Sequence, residues 1–134
     1  MNHGTSMIYL HATCMTAAFV LLVVGAGIAV GRRRNKRWLD AHKKLGTLSP
    51  LLVAVGLIIA YLAVASYSDL HFTIPHAWFG LLTAAAVIAT QSLGLAILKN
   101  KGGIRFRAAH RWMGRLSLGM MFLMIVSGLM LLYG

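Results

Sequence analysis

Charged residues are scarce in this chain, and acidic ones are almost missing. Only 11% of the 134 residues are charged, whereas a soluble domain has about 25%. The sequence has two acidic residues, Asp40 and Asp69, and a single cysteine, Cys14. One cysteine excludes an intrachain disulfide. The low charge, together with the short segments left between apolar runs, excludes a soluble catalytic domain.

The apolar residues make up 59% of the chain and fall into four long runs. A transmembrane helix needs about 20 mainly apolar residues, and every run is long enough. We place the spans at about 7–31, 42–67, 75–98 and 108–133. Because the connections are short, we predict an all-α, membrane-embedded, up-and-down four-helix bundle that forms one domain, residues 1–134.

Thirteen basic residues give the chain a formal net charge of +11. Seven of them lie between spans one and two, and the other six lie between spans three and four or at the entrance to span four. With four spans, these two connections are on one side of the membrane. The excess of Lys and Arg predicts that this side is cytoplasmic and that both termini are outside. A nucleic-acid patch would not require such agreement with topology, so we expect membrane lipid and no nucleic acid as a partner.

A histidine followed by a glycine four residues later recurs at intervals of 34 residues. The pairs are His42/Gly46, His76/Gly80 and His110/Gly114. Residues i and i+4 share a helix face, so the glycine leaves room beside the histidine for a flat cofactor. Small residues also serve close packing of membrane helices. Packing explains the glycines, but it does not explain their fixed distance from the histidine.

Each predicted span has one histidine near its beginning: His11, His42, His76 and His110. Since the spans alternate in direction, His11 shares the outer level with His76, and His42 shares the cytoplasmic level with His110. The members of a pair are on diagonal helices, whose axes are roughly 11–14 Å apart. One such histidine alone is as readily an interfacial residue bonded to water or lipid headgroups. Four in this arrangement favour two metal centres.

Two histidines are too few for a zinc site, which takes four ligands from His, Cys, Asp or Glu. The predicted spans contain no acidic residue and only one thiol, Cys14. Haem brings four nitrogen ligands of its own and needs only two histidines. A Cys-x-x-Cys-His motif for covalent attachment is missing. The sequence therefore predicts two non-covalent haems b, one held by His11 with His76 and the other by His42 with His110.

The segments around three of these histidines resemble the cytochrome b561 family. They are His42-Lys-Lys-Leu-Gly46, Pro75-His-Ala-Trp-Phe-Gly-Leu-Leu-Thr83 with Gln91 and Gly94, and His110-Arg-Trp-Met-Gly114. The resemblance covers nearly the whole chain from His11 onward, although eukaryotic members usually have six spans. It implies a transmembrane oxidoreductase, a ferric or ascorbate-linked reductase with two haems, and the same two ligand pairs.

Histidine at both axial positions leaves iron without an open site, which favours electron transfer over binding of oxygen or substrate. We expect a small-molecule, quinol or protein donor beside the basic residues of the cytoplasmic face: Lys43, Lys44, Arg105, Arg107 and Arg111. The alternative is that these residues only set the orientation and bind anionic lipid headgroups.

At the outer face, Tyr9, Tyr67 and His71 are candidates to border an acceptor site. The acceptor classes are a ferric chelate, a dehydroascorbate-like molecule and a redox protein. His71 is equally interpreted as an exposed loop residue.

Two other functions stay open at this point. The chain is also suited to be a haem-bearing anchor subunit of a larger quinone-linked redox complex. A different class is a small haem-free scaffold or transporter component, although the lack of acidic residues in the spans argues against an ion pathway. The sequence is compatible with a homodimer.

Overall fold

The computed structural model describes residues 3–31, 37–66, 73–99 and 103–134. Four helices occupy most of these ranges: α1 (His3–Gly31), α2 (Trp38–Ala65), α3 (Pro75–Leu98) and α4 (Ile104–Tyr133). Each is long and apolar enough to cross a membrane. No strand occurs within the described ranges. The predicted all-α four-helix bundle is confirmed.

Large apolar side chains cover the outside of the bundle. Leu123, Leu131 and Ile58 are each 60% or more exposed, and many other Leu, Val, Ile, Phe and Trp side chains are partly exposed around them. Soluble monomers rarely expose contiguous apolar patches above a few hundred Å². Such a surface is stable in contact with lipid, and the chain is an integral, multi-pass membrane protein.

The helices form two antiparallel hairpins, α1 with α2 and α3 with α4. Contacts between the hairpins are fewer and join α1 to α4 and α2 to α3. In the described part of the chain, the backbone of α1 does not approach that of α3, nor does α2 approach α4. Helices α1 and α3 are therefore diagonal, as are α2 and α4, as expected of an up-and-down bundle.

Three hydrogen bonds at seven-residue steps set the register of the first hairpin. His11 Nδ1 donates to Gly56 O at 2.8 Å, Ser49 Oγ donates to Ala18 O at 3.0 Å, and His42 Nδ1 donates to Gly25 O at 2.9 Å. Seven residues are about two helical turns, so these contacts stay on one face of each helix. They hold α1 and α2 together along most of their length.

The core lies between the two ends of the bundle. Its buried residues come from all four helices: Ala18, Val53, Ala84, Val87 and Met121. The Phe19 ring in α1 packs against Phe122 in α4, with centroids 6.3 Å apart. The buried Ser117 hydroxyl is paired with Thr90 Oγ1 at 3.0 Å, so it does not remain unsatisfied in an apolar region. The centre of the bundle is thus packed with side chains.

Three helices begin about four residues before the predicted spans, at His3, Trp38 and Ile104. A helix continues into the polar interface of the membrane, whereas the run of apolar residues spans only the hydrocarbon layer of about 30 Å. Helix α3 begins at Pro75, as predicted, with Ile74 as its extended N-cap, because proline is tolerated in a first turn. Helix α2 ends at Ala65, and residue 67, its predicted end, lies outside the described residues.

Candidate functional site

All four span histidines make a hydrogen bond through the same ring nitrogen, Nδ1. The partners are Gly56 O for His11 at 2.8 Å, Gly25 O for His42 at 2.9 Å, Ser127 Oγ for His76 at 2.7 Å, and Thr90 O for His110 at 3.0 Å. A carbonyl oxygen can only accept a hydrogen bond, so Nδ1 carries the proton in His11, His42 and His110. In the neutral ring, Nε2 then has the lone pair that binds a metal.

Every one of these bonds runs to the other helix of the same hairpin. His11 and His42 join α1 and α2 reciprocally, and His76 and His110 join α3 and α4 in the same way. A bond of this kind fixes the ring orientation and makes Nε2 a stronger ligand, as it does for histidines at metal centres. Each hairpin therefore presents two oriented imidazoles, one at each end of the bundle.

At one end of the bundle, His42 of α2 lies opposite His110 of α4. The ring centroids are 6.1 Å apart and the ring planes are perpendicular. Two Nε2–metal bonds of about 2 Å, with about 1 Å from each nitrogen to its ring centroid, give a separation of about 6 Å. The distance fits two histidines that share one metal ion. It also falls within the range of a direct edge-to-face ring contact, so metal or haem content distinguishes the two.

The Trp38 ring lies beside this histidine pair. Its centroid is 6.2 Å from that of His42, and the two planes are tilted by 41°. Trp38 is the first residue of α2, so it covers the histidine from the end of the helix. The Trp38 and His42 rings are thus at the distance of an aromatic contact.

At the other end, His11 and His76 line one cavity of about 630 Å³ between all four helices. Its walls are mostly apolar and include Met15, Met121 and Met124. The two imidazoles are near enough for electrostatic interaction. Cavities of about 300–1,000 Å³ with apolar walls and a few polar groups are typical of ligand sites. The structure thus brings His11 and His76 to an apolar space of the size that ligand sites have.

The glycines that follow the histidines by four residues have different surroundings. Gly80 lines the cavity, with Met124 Cε 4.0 Å from the position of a Cβ. A Cβ at Gly46 would meet Gln91 Oε1 at 3.5 Å, and one at Gly114 would meet Thr90 Cγ2 at 3.8 Å. Gly46 and Gly114 therefore allow close contact between helices, and Gly80 alone of the three borders the cavity.

A second set of glycines, on the partner helices, lies against the imidazoles. A Cβ at Gly94 would be 3.2 Å from His110 Cε1, and one at Gly128 would be 3.3 Å from His76 Cε1. A Cβ at Gly25 would be 3.9 Å from His42 Nδ1, and Gly56 provides the carbonyl that His11 bonds.

Of these four glycines, only Gly94 is among the residues quoted for the family resemblance, and no role was predicted for it. Gly25, Gly56 and Gly128 were not predicted. The spacing between histidine and glycine in the sequence could have indicated them. A glycine follows the histidine by 14 residues in α1 and α2, and by 18 residues in α3 and α4. Because the helices of a hairpin are antiparallel, a glycine near the end of one helix meets the histidine near the beginning of the other.

The basic residues proposed to receive a donor surround the His42/His110 end. Lys43, Lys44, Arg105, Arg107 and Arg111 are all exposed. Lys43 forms an ion pair with Asp40 at 3.2 Å, one helical turn away. Such an exposed pair contributes little to stability, and the other four side chains leave this face strongly positive. At the opposite end Tyr9 is 40% exposed, whereas Tyr67 and His71 lie outside the described residues.

Within the described ranges, no group of three or more His, Cys, Asp and Glu side chains could hold a metal ion. The half-buried Cys14 belongs to no such group. No family model matches the sequence, and neither a curated protein nor a solved structure matches it.

Proposed function

We propose that this chain binds two haems b between its two hairpins and transfers electrons across the membrane, as does the cytochrome b561 family that it resembles. The observation that supports this most is that all four histidines are held in the same way. Each has its Nδ1 edge bonded to its own hairpin, and the pairs come from diagonal helices at opposite ends. The two pairs of imidazoles are thereby oriented, and each pair would hold one haem.

The chain's own groups fit haem better than a bare metal ion. His11 with His76, and His42 with His110, would hold the two haems, and each haem would supply a one-electron iron centre. The cavity beside His11 and His76 is apolar, as the porphyrin face requires. Because two histidines would hold each haem, we expect the chain to move electrons between molecules that dock outside it, and not to bind substrate at the iron.

The two ends are separated by the packed middle of the bundle. His11 is 14 residues from Gly25, which accepts a bond from His42, and this corresponds to about 21 Å along α1. The core residues and the Phe19–Phe122 contact lie within that interval, and the cavity of the His11/His76 end extends to Val53 and Met121. A centre near each end divides the hydrocarbon layer of about 30 Å into shorter steps for the electron.

The direction of transfer follows from the orientation that the basic residues favour. If the His42/His110 end is cytoplasmic, an inside-negative potential drives an electron outward with about 2.3 kcal/mol per 100 mV for a full crossing. The donor, a small anion or a quinol, would dock among Lys44, Arg105 and Arg111. The acceptor, a ferric chelate, a dehydroascorbate-like molecule or a redox protein, would be reduced near Tyr9 and the cavity.

Orientation is tested by labelling single cysteines in intact cells. In a Cys14→Ser background, Tyr133→Cys should react with a membrane-impermeant maleimide from outside, and Gly103→Cys should react only after permeabilisation. Tyr133 is 74% exposed, and a Cβ at Gly103 meets nothing within 4 Å, so both variants should fold. Labelling of Gly103→Cys in intact cells, with Tyr133→Cys protected, would reverse the proposed path.

Cofactor content is the direct test of the proposed function. The purified protein should contain two non-covalent haems b per chain and show the narrow alpha band of low-spin iron on reduction. The measurement is a pyridine haemochrome assay on protein of known concentration, together with a reduced-minus-oxidised spectrum. A ratio near zero, or haem that resists acid–organic extraction, would refute the proposal.

A further inference from the structure

His76 differs from the other three histidines in what holds it. The rings of His11, His42 and His110 bond backbone carbonyls, whereas His76 Nδ1 is 2.7 Å from the side-chain oxygen of Ser127. A backbone carbonyl remains whatever residue occupies the position. The partner of His76 is therefore the one among the four that a side-chain substitution removes.

The hydroxyl of Ser127 bonds a side chain on another helix. Serine and threonine in a helix often bond a carbonyl one turn earlier on their own helix. In this chain Ser92 does so with Ile88 O at 2.9 Å, and Thr13 does so with Tyr9 O at 2.9 Å. Ser127, in contrast, contacts an imidazole on another helix. Its position is thus explained by His76 rather than by its own helix.

The next residue, Gly128, also lies against the His76 ring. A Cβ there would be 3.3 Å from His76 Cε1, so the absence of a side chain allows the ring to lie against α4. Ser127 contacts one ring nitrogen and Gly128 leaves space for the adjacent carbon. Together they hold the ring in the wall of the cavity that it shares with His11.

We infer that Ser127 is a positioning residue that tunes the proposed outer haem by accepting a hydrogen bond from His76 Nδ1. This inference rests on the proposed function. With Nδ1–H donating to the hydroxyl, the lone pair of the neutral ring is on Nε2, the nitrogen that would bind the iron. Donation to the hydroxyl also places more electron density on Nε2, and this stabilises ferric iron over ferrous iron.

The test compares Ser127→Ala with Ser127→Thr in redox titrations and haem-retention assays. Ser127→Ala removes the acceptor, so the reduction potential of the outer haem should rise and its affinity should fall about 10- to 100-fold. The cytoplasmic haem should be unchanged. Ser127→Thr keeps the hydroxyl and should restore both quantities. The outer haem is identified as the one that remains when His110 is replaced.

Ser49→Ala is the matched control. Ser49 is a buried serine whose hydroxyl also bonds across a hairpin, but its partner is a backbone carbonyl, Ala18 O at 3.0 Å, and not a histidine. Its replacement should leave both potentials unchanged. A shift of the outer haem in Ser127→Ala alone supports the inference. Equal shifts in Ser127→Ala and Ser49→Ala, or an unchanged outer haem in Ser127→Ala, overturn it.

Ser127→Cys covers the case in which Ser127→Ala does not accumulate. The thiol is of similar size but is a weaker acceptor, so the outer potential should rise while the protein still folds. An outer potential equal to that of the wild type in this variant overturns the inference. Wild-type protein without haem would overturn the proposed function as well, whereas two haems with no effect at position 127 would overturn only the role of Ser127.

Discussion

Replacing His76 by Ala should lower the haem content from two per chain to one, with loss of the outer haem alone. His76 and His11 line the same cavity and come from diagonal helices at one end of the bundle. Replacing His110 should remove the cytoplasmic haem, because His42 would lose the partner whose ring is 6.1 Å away. The double variant should contain none. Haem-to-protein ratios and reduced-minus-oxidised spectra of the three variants measure the effect.

His71→Ala is the control for this series. From its place between spans two and three, His71 should be no ligand, and both haems should remain in that variant. The loss of a ligand also leaves its partner imidazole unpaired in an apolar bundle, which costs stability, so each variant is compared at equal amounts of folded protein. If His76→Ala keeps two low-spin haems with unchanged spectra, the diagonal pairing is wrong.

Leucine at Gly94 or Gly128 should displace the neighbouring imidazole and release one haem. A Cβ at Gly94 would already be 3.2 Å from His110 Cε1, and one at Gly128 would be 3.3 Å from His76 Cε1. Overpacking of this kind costs about 1–3 kcal/mol, or roughly 5- to 150-fold in affinity. Gly94→Leu should weaken the cytoplasmic haem, and Gly128→Leu should weaken the outer one. Alanine at either position should have a smaller effect in the same direction.

Gly27→Leu and Gly119→Leu are the matched controls for these substitutions. A Cβ at either glycine meets nothing within 4 Å, and both positions are exposed on the surface of the bundle. Both variants should keep two haems with normal spectra. Haem loss that is equal in Gly27→Leu and Gly94→Leu would mean that leucine disturbs the helices in general. The contact between glycine and imidazole would then have no special role.

The helices and their order could be predicted from the sequence because the physical signal is strong. In lipid every backbone group must be bonded within the segment, so about 20 apolar residues form a helix almost regardless of detail. Four such runs with short connections lead to alternating directions. Alternation alone then places His11 with His76, and His42 with His110, at opposite ends.

The contacts of each histidine could not be predicted in this way. Both the inside of the bundle and the surrounding lipid are apolar, so the hydrophobic pattern does not show which face of a helix is turned inward. The helix faces that contact the cofactor were therefore predicted from the glycines four residues after the histidines. In the structure Gly80 lines the cavity with His11 and His76, and Gly94 and Gly128 lie against imidazoles of the partner helices.

The bonding partners of the imidazoles likewise depend on rotation and axial shift between helices. Each helix has one of the four span histidines and, further along, the glycine that meets the histidine of its partner helix. The two are 14 residues apart in α1 and α2 and 18 residues apart in α3 and α4. The two hairpins therefore have different registers. Both histidines of the first hairpin bond carbonyls, whereas in the second hairpin His110 bonds Thr90 O and His76 bonds the hydroxyl of Ser127. The sequence by itself determined four spans and two levels of histidine. Only the packing of the helices decided which atoms hold each ring, because a side-chain contact of 3 Å depends on register, and an apolar helix in lipid does not specify its register.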